Sequence, residues 1–84
     1  MPVKAFVLIN TQIGSEEEVL KYLRNLEEVE EAHIVYGVYD IVAKVTAEDI
    51  NKLRDIVTMK IRKMSKIMST TTMVVIEERK RDRS

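Results

Sequence analysis

The chain has 84 residues, 45% hydrophobic and 33% charged, with 14 basic and 14 acidic side chains, one histidine and no cysteine. That is a single domain of ordinary globular composition, which excludes a multidomain enzyme and a disordered chain. Disulfides and thiolate metal sites are excluded as well, so self-association is the remaining support for so small a core.

The charge is balanced overall but uneven along the chain. Residues 1–49 hold ten acids and four bases, and residues 50–84 hold four acids and ten bases. A strongly basic nucleic-acid binder does not look like this. The apolar run at residues 5–9 is too short for a signal peptide. No apolar stretch approaches the roughly 20 residues that span a bilayer. A cytoplasmic protein with no membrane and no direct nucleic-acid partner is therefore expected.

Residues 4–10 read as a strand, with Ala5, Phe6, Val7, Leu8 and Ile9 in one run that stops at Asn10, Thr11, Gln12 and Gly14. Ser15-Glu16-Glu17-Glu18 has the form of a capping box, with acids at the positive end of a helix dipole. Val19, Leu20, Leu23 and Leu26 follow at helical spacing, so the first helix is predicted over 15–26. Residues 30–36 alternate as a second strand. Gly37-Val38-Tyr39-Asp40 is a turn, and residues 41–45 form the third strand of an antiparallel hairpin. Thr46 with Asp49 three residues on gives a second capping signal. Ile50, Leu53, Val57, Ile61 and Met64 then mark one face of a helix that runs to about Ser65, opposite Lys52, Arg54, Lys60 and Lys63. Residues 69–77, rich in β-branched side chains, are the last strand.

The order β-α-β-β-α-β specifies an α+β, ferredoxin-like fold, a four-stranded antiparallel sheet with two helices on one face. Val3, Ala5, Val7 and Ile9 point one way, and Phe6 and Leu8 the other. The helices cover only one set, so the second apolar face is expected to receive a partner, a second copy packed sheet to sheet. The domain is expected to occupy residues 1–78, with 79–84 as a solvated charged tail.

The turn Gly37-Val38-Tyr39-Asp40 resembles the Gly-x-Tyr-Asp turn of the C-terminal domain of Lrp/AsnC-type transcription regulators. That domain is called RAM, for regulation of amino-acid metabolism. The segment Ser69-Thr70-Thr71-Thr72-Met73-Val74-Val75-Ile76 is similar to the same domain's Thr-rich last strand. The likeness runs from about Val3 to Glu78. One departure is Lys66, where the family commonly has glycine. The resemblance implies a dimeric α/β barrel, a homodimer that assembles to tetramers or octamers, with amino-acid effectors at the dimer–dimer interface near the turn and the Thr-rich strand. Full regulators of the family carry an N-terminal helix-turn-helix. This chain opens at its first strand, so it is expected to be a stand-alone, non-catalytic RAM module that works with itself or with the matching domains of full-length regulators.

The resemblance implies Gly37, Val38, Tyr39, Asp40, Thr70 and Thr72 as ligand-binding residues. Gly37 would let a ligand approach the backbone, though an ordinary turn glycine reads the same way. Asp40 can accept from an α-ammonium group, or cap its own turn. Tyr39 offers apolar area and a hydroxyl to a ligand or an interface. Thr70 and Thr72 share a face of the last strand, where β-propensity alone is the plain alternative. No metal and no cofactor is implied: His33 is a lone histidine and reads as a surface strand residue, and the glutamate clusters read as solvated helix ends. The methionines read as core filler or soft interface.

Four other functions compete with this reading. A pure oligomerisation partner without ligand is the closest competitor. An enzyme lacks a phosphate loop or a histidine pair to build on. RNA binding by the sheet lacks stacking aromatics. The ACT sensor domain shares the topology, but its Gly-rich first turn is only faintly matched by Asn10-Thr11-Gln12-Ile13-Gly14.

Overall fold

The structure is a computed structural model, and it describes residues 2–81. Its elements are β1 (Val3–Thr11), α1 (Glu16–Arg24), β2 (Val29–Ile34), β3 (Ile41–Ala47), α2 (Ile50–Asp55), a π-helical turn (Ile56–Ile61) and β4 (Ile67–Val74). The four strands form one antiparallel sheet in the order β2-β3-β1-β4. Element order and fold class are as the sequence predicts.

The alternation within β1 sets the layering. Ala5, Val7 and Ile9 are fully buried beside Ile41, Ala43 and Val45 of β3. Val19 and Leu23 of α1 and Leu53, Ile56, Val57 and Ile61 of the second helical segment close this core. Each buried Val, Leu or Ile among them contributes about 1.5–3 kcal/mol on leaving water. The opposite side of the sheet carries Phe6 and Leu8 of β1, Val42 and Lys44 of β3, and Thr71 and Met73 of β4. No helix lies over it, and Phe6 and Met73 remain 37% and 49% exposed.

Three local expectations are corrected. The capping box at Ser15 does not form. Ser15 sits at φ −105°, ψ 8°, outside the extended conformation a side-chain cap needs, and its hydroxyl makes no cap bond. The helix starts instead from its backbone, with the Val19 amide donating to the Ser15 carbonyl at 3.0 Å.

The second cap is Asp49, not Thr46. Asp49 is extended, at φ −156°, and accepts from the Lys52 amide at 2.8 Å. Thr46 is unavailable because β3 runs on to Ala47 and pairs Thr46 with Lys4.

The second helix is not one regular α-helix to Ser65. After Asp55 it widens to π geometry, shown by the Arg62 amide donating to the Val57 carbonyl five residues back at 2.8 Å. The wider turn lets the neighbours Ile56 and Val57 both face the core. Ile50, placed on the apolar stripe by a regular period, is 54% exposed. Among the described residues no helix is long and apolar enough to cross a membrane.

Candidate functional site

The turn between β2 and β3 is tied down at three points. The Val35 amide donates to the Asp40 carbonyl at 2.9 Å, and the Asp40 amide to the Ile9 carbonyl at 3.0 Å. The Asp40 carboxylate accepts from the Thr11 amide at 2.9 Å. Asp40 thus clips the turn to the end of β1, where a bulge interrupts the pairing of Asn10 and Thr11 with β4. Gly37 has φ +153°, and a Cβ there would meet nothing within 4 Å. What requires glycine is the backbone conformation rather than crowding.

Three segments meet beside this clip. The Tyr39 hydroxyl donates to Thr71 Oγ1 at 3.3 Å. Asn10 Nδ2 donates to Ser69 Oγ at 3.2 Å across the β1–β4 pairing. Ser69 and Thr71 stand opposite Asn10 and Leu8, on the face the helices leave open. Ile13, Tyr36, Val38 and Met68 project from the same end of the sheet, the first three almost entirely exposed. The result is a cluster of neutral hydroxyl and amide groups at an end of the sheet that also exposes apolar side chains. Such groups can hydrogen-bond a small polar molecule without charge of their own.

Gly37, Val38, Tyr39 and Asp40 lie together in the turn. Thr70 and Thr72 do not join them: they stand opposite Ile9 and Val7, on the helix side of the sheet. The hydroxyls that meet Tyr39 and Asn10 belong to Thr71 and Ser69. The period-two alternation of β4 separates the two sets, but only the register with β1 tells which set meets the turn.

The charged groups gather elsewhere. At the opposite end of the sheet an open groove of about 750 Å³ is lined by Glu27, Glu28, Glu48, Lys52, Asp55 and Lys60. It contains none of the turn residues. Glu28 pairs with Lys60, whose hydrogen bond holds the Glu28 carboxyl below its ordinary pKa and raises that of Lys60. Glu28 Oε1 is buried with no hydrogen-bond partner. Glu30 accepts from the Thr46 hydroxyl at 2.6 Å, and that bond, aided by Lys4 and Lys44, lowers its pKa. These two glutamates are therefore engaged rather than simply solvated. His33 Nε2 lies 2.7 Å from Glu31 Oε1 on the exposed strand β2.

Comparison with known proteins gives three findings. The family model described as the Lrp/AsnC ligand binding domain matches residues 4–84. The proline dehydrogenase transcriptional activator of Rhizobium radiobacter is 34% identical over 70 residues, 83% of this chain and 45% of the relative. The chain spans about half the length of the curated relatives it matches. Among solved structures, hypothetical protein PHS023 from Pyrococcus horikoshii is 45% identical with a TM-score of 0.84, covering 90% of this chain and 92% of that one. AsnC from E. coli is 29% identical with a TM-score of 0.90, covering 98% of this chain and 56% of that one.

Proposed function

This chain belongs to the Lrp/AsnC ligand-binding domain family, and from that premise we propose that it is a non-catalytic, cytoplasmic module that binds a small amino-acid effector and assembles with copies of itself in transcription regulation. The observation that carries this reading is the meeting of Tyr39 with Thr71 beside the Asp40 clip, at the end of the sheet where Ile13, Tyr36 and Val38 are exposed. A free amino acid presents a carboxylate, an ammonium and a side chain. The hydroxyls of Tyr39, Thr71 and Ser69 suit the carboxylate, and the Gly37 backbone admits close approach. The apolar side chains exposed there suit a ligand's side chain, or a neighbouring subunit that closes over them.

Assembly has two surfaces in this proposal. The open sheet face, with Phe6, Leu8, Val42 and Met73, packs against a second copy to give the homodimer. The turn end, with its exposed apolar side chains, joins dimers into tetramers or octamers, or engages the matching domains of full-length regulators. A ligand seated at that junction binds the higher assembly better than the dimer and shifts the equilibrium by the difference.

One observation favours a second reading, a pure oligomerisation partner without ligand. The Asp40 carboxylate already has a backbone partner, so the turn is explained without an effector. Thermal shift with each of the twenty amino acids at millimolar concentration separates the two. A ligand at about a hundred times its dissociation constant stabilises by roughly 2.7 kcal/mol. The effector reading expects a rise for one amino acid or a few, diminished in Tyr39→Phe. A flat response across the whole panel leaves the oligomerisation partner.

A further inference from the structure

The segment after β4 does not leave the sheet directly. The Val75 amide donates to the Lys4 carbonyl at 2.8 Å, which carries the chain along β1. Three residues on, the Glu78 carboxylate reaches Lys4 Nζ at 3.5 Å and Lys44 Nζ at 3.6 Å. Both lysines stand on the open face, on the two central strands, and Lys44 is only 16% exposed. Lys44 also reaches Glu30 at 3.7 Å. Glu78 therefore bridges the two lysines, and Glu30 pairs with Lys44 and lies near Lys4. Glu31, the register partner of Lys44 on the same edge strand as Glu30, is paired with His33.

The position of these charges matters because Phe6, Leu8 and Val42 share their face. An apolar surface that must leave water cannot take unpaired ammonium groups with it, since an uncompensated buried charge is costly. Among the described residues, Glu78 is the only ion-pair partner of Lys4. Without it, each copy brings to the seam one ammonium that has no ion pair and only the more distant Glu30 near it, and a symmetric interface brings two.

We propose that Glu78 is a component of the interface between two copies of this chain, supplied by the segment beyond β4 to neutralise Lys4 and Lys44 so that the open sheet face can be buried. The proposal rests on the reading of that face as the homodimer surface. It adds that the C-terminal segment is part of the surface rather than a tail beside it.

Sedimentation equilibrium of the full chain tests it, with Glu78→Gln, the neighbouring Glu77→Gln as control, Lys4→Gln, and the Glu78→Gln/Lys4→Gln double variant. Far-UV circular dichroism on each checks that the fold is kept. Glu78→Gln keeps the shape of the side chain and removes its charge, and weakens the dimer about tenfold or more. Glu77→Gln, whose carboxylate pairs with Arg79 instead, leaves it unchanged. The double variant removes the stranded ammonium as well and restores association to within about threefold of wild type. A dimer indifferent to Glu78→Gln overturns the proposal and leaves the homodimer standing. A double variant as weak as Glu78→Gln alone also overturns it, because charge balance would not be the cause. A wild-type chain that stays monomeric at every concentration overturns the homodimer reading and this proposal with it.

Discussion

Replacing Asp40 by alanine removes the carboxylate that accepts the Thr11 amide at 2.9 Å. Thr11 is 8% exposed, so its amide has little access to water when that acceptor goes. A buried donor left unpaired costs about 1–3 kcal/mol. In a domain of this size each kcal/mol lowers the melting temperature by about 4–8 °C, so the variant should melt roughly 5–20 °C below wild type. Asp40→Asn is the informative companion. Its amide oxygen can still accept from Thr11, so its cost should stay under about 1 kcal/mol. Urea unfolding at matched protomer concentration measures both, because stability and association are linked in a self-associating domain. If Asp40→Ala unfolds within about 0.5 kcal/mol of wild type, the clip contributes nothing and the reasoning fails. The pair also sharpens the ligand question. Loss of an amino-acid response in Asp40→Ala could follow from a loosened turn, whereas loss in Asp40→Asn points to the charge itself.

Two further outcomes are expected. Ile61→Ala empties a fully buried position in the π-helical turn and should cost about 2–5 kcal/mol, while Ile50→Ala, at a 54% exposed position, should stay within about 0.5 kcal/mol in the same urea titration; equal losses would refute the register of the second helix. For Glu28, the folded pKa lies below the ordinary 4.5, so its contribution is present above that value and is lost as pH falls through the depressed one. Wild type should therefore exceed Glu28→Gln in thermal stability at neutral pH, and the two should begin to approach each other near pH 4.5 and converge once pH has fallen through the depressed folded pKa; a gap that does not narrow with acid would show that the Lys60 pairing is not its source.

Much of this fold is written locally. The period-two run in β1, the glycine turn after β2 and the β-branched last strand each carry their conformation in a few neighbouring residues, and together they fix the order β-α-β-β-α-β. The apolar residues on both faces of β1 already say that two layers must cover it. The turn that carries Gly37, Val38, Tyr39 and Asp40 was legible for the same reason, since glycine and aspartate state their backbone preferences in sequence.

What the sequence left open depends on register. Alternation divides Thr70 and Thr72 from Ser69 and Thr71, but only the pairing of Leu8 with Thr71 puts the second set beside Tyr39. A one-residue slip would exchange the two, and no local signal forbids it. The π-helical turn is similar. Its wider turn brings Ile56 into the core beside Val57 and Ile61, which a regular helical period does not foresee, and Ile50 is exposed because it opens the helix at the rim of the core. Asp49 and Thr46 both had the chemistry of a cap, and strand pairing decided between them by taking Thr46. The charge network across the open face joins residues 4, 30, 44 and 78, whose contacts exist only once the sheet has formed. Sequence determined which elements form and where they turn, because those choices are made between near neighbours. Tertiary structure decided which side chains meet, because that depends on how distant segments align.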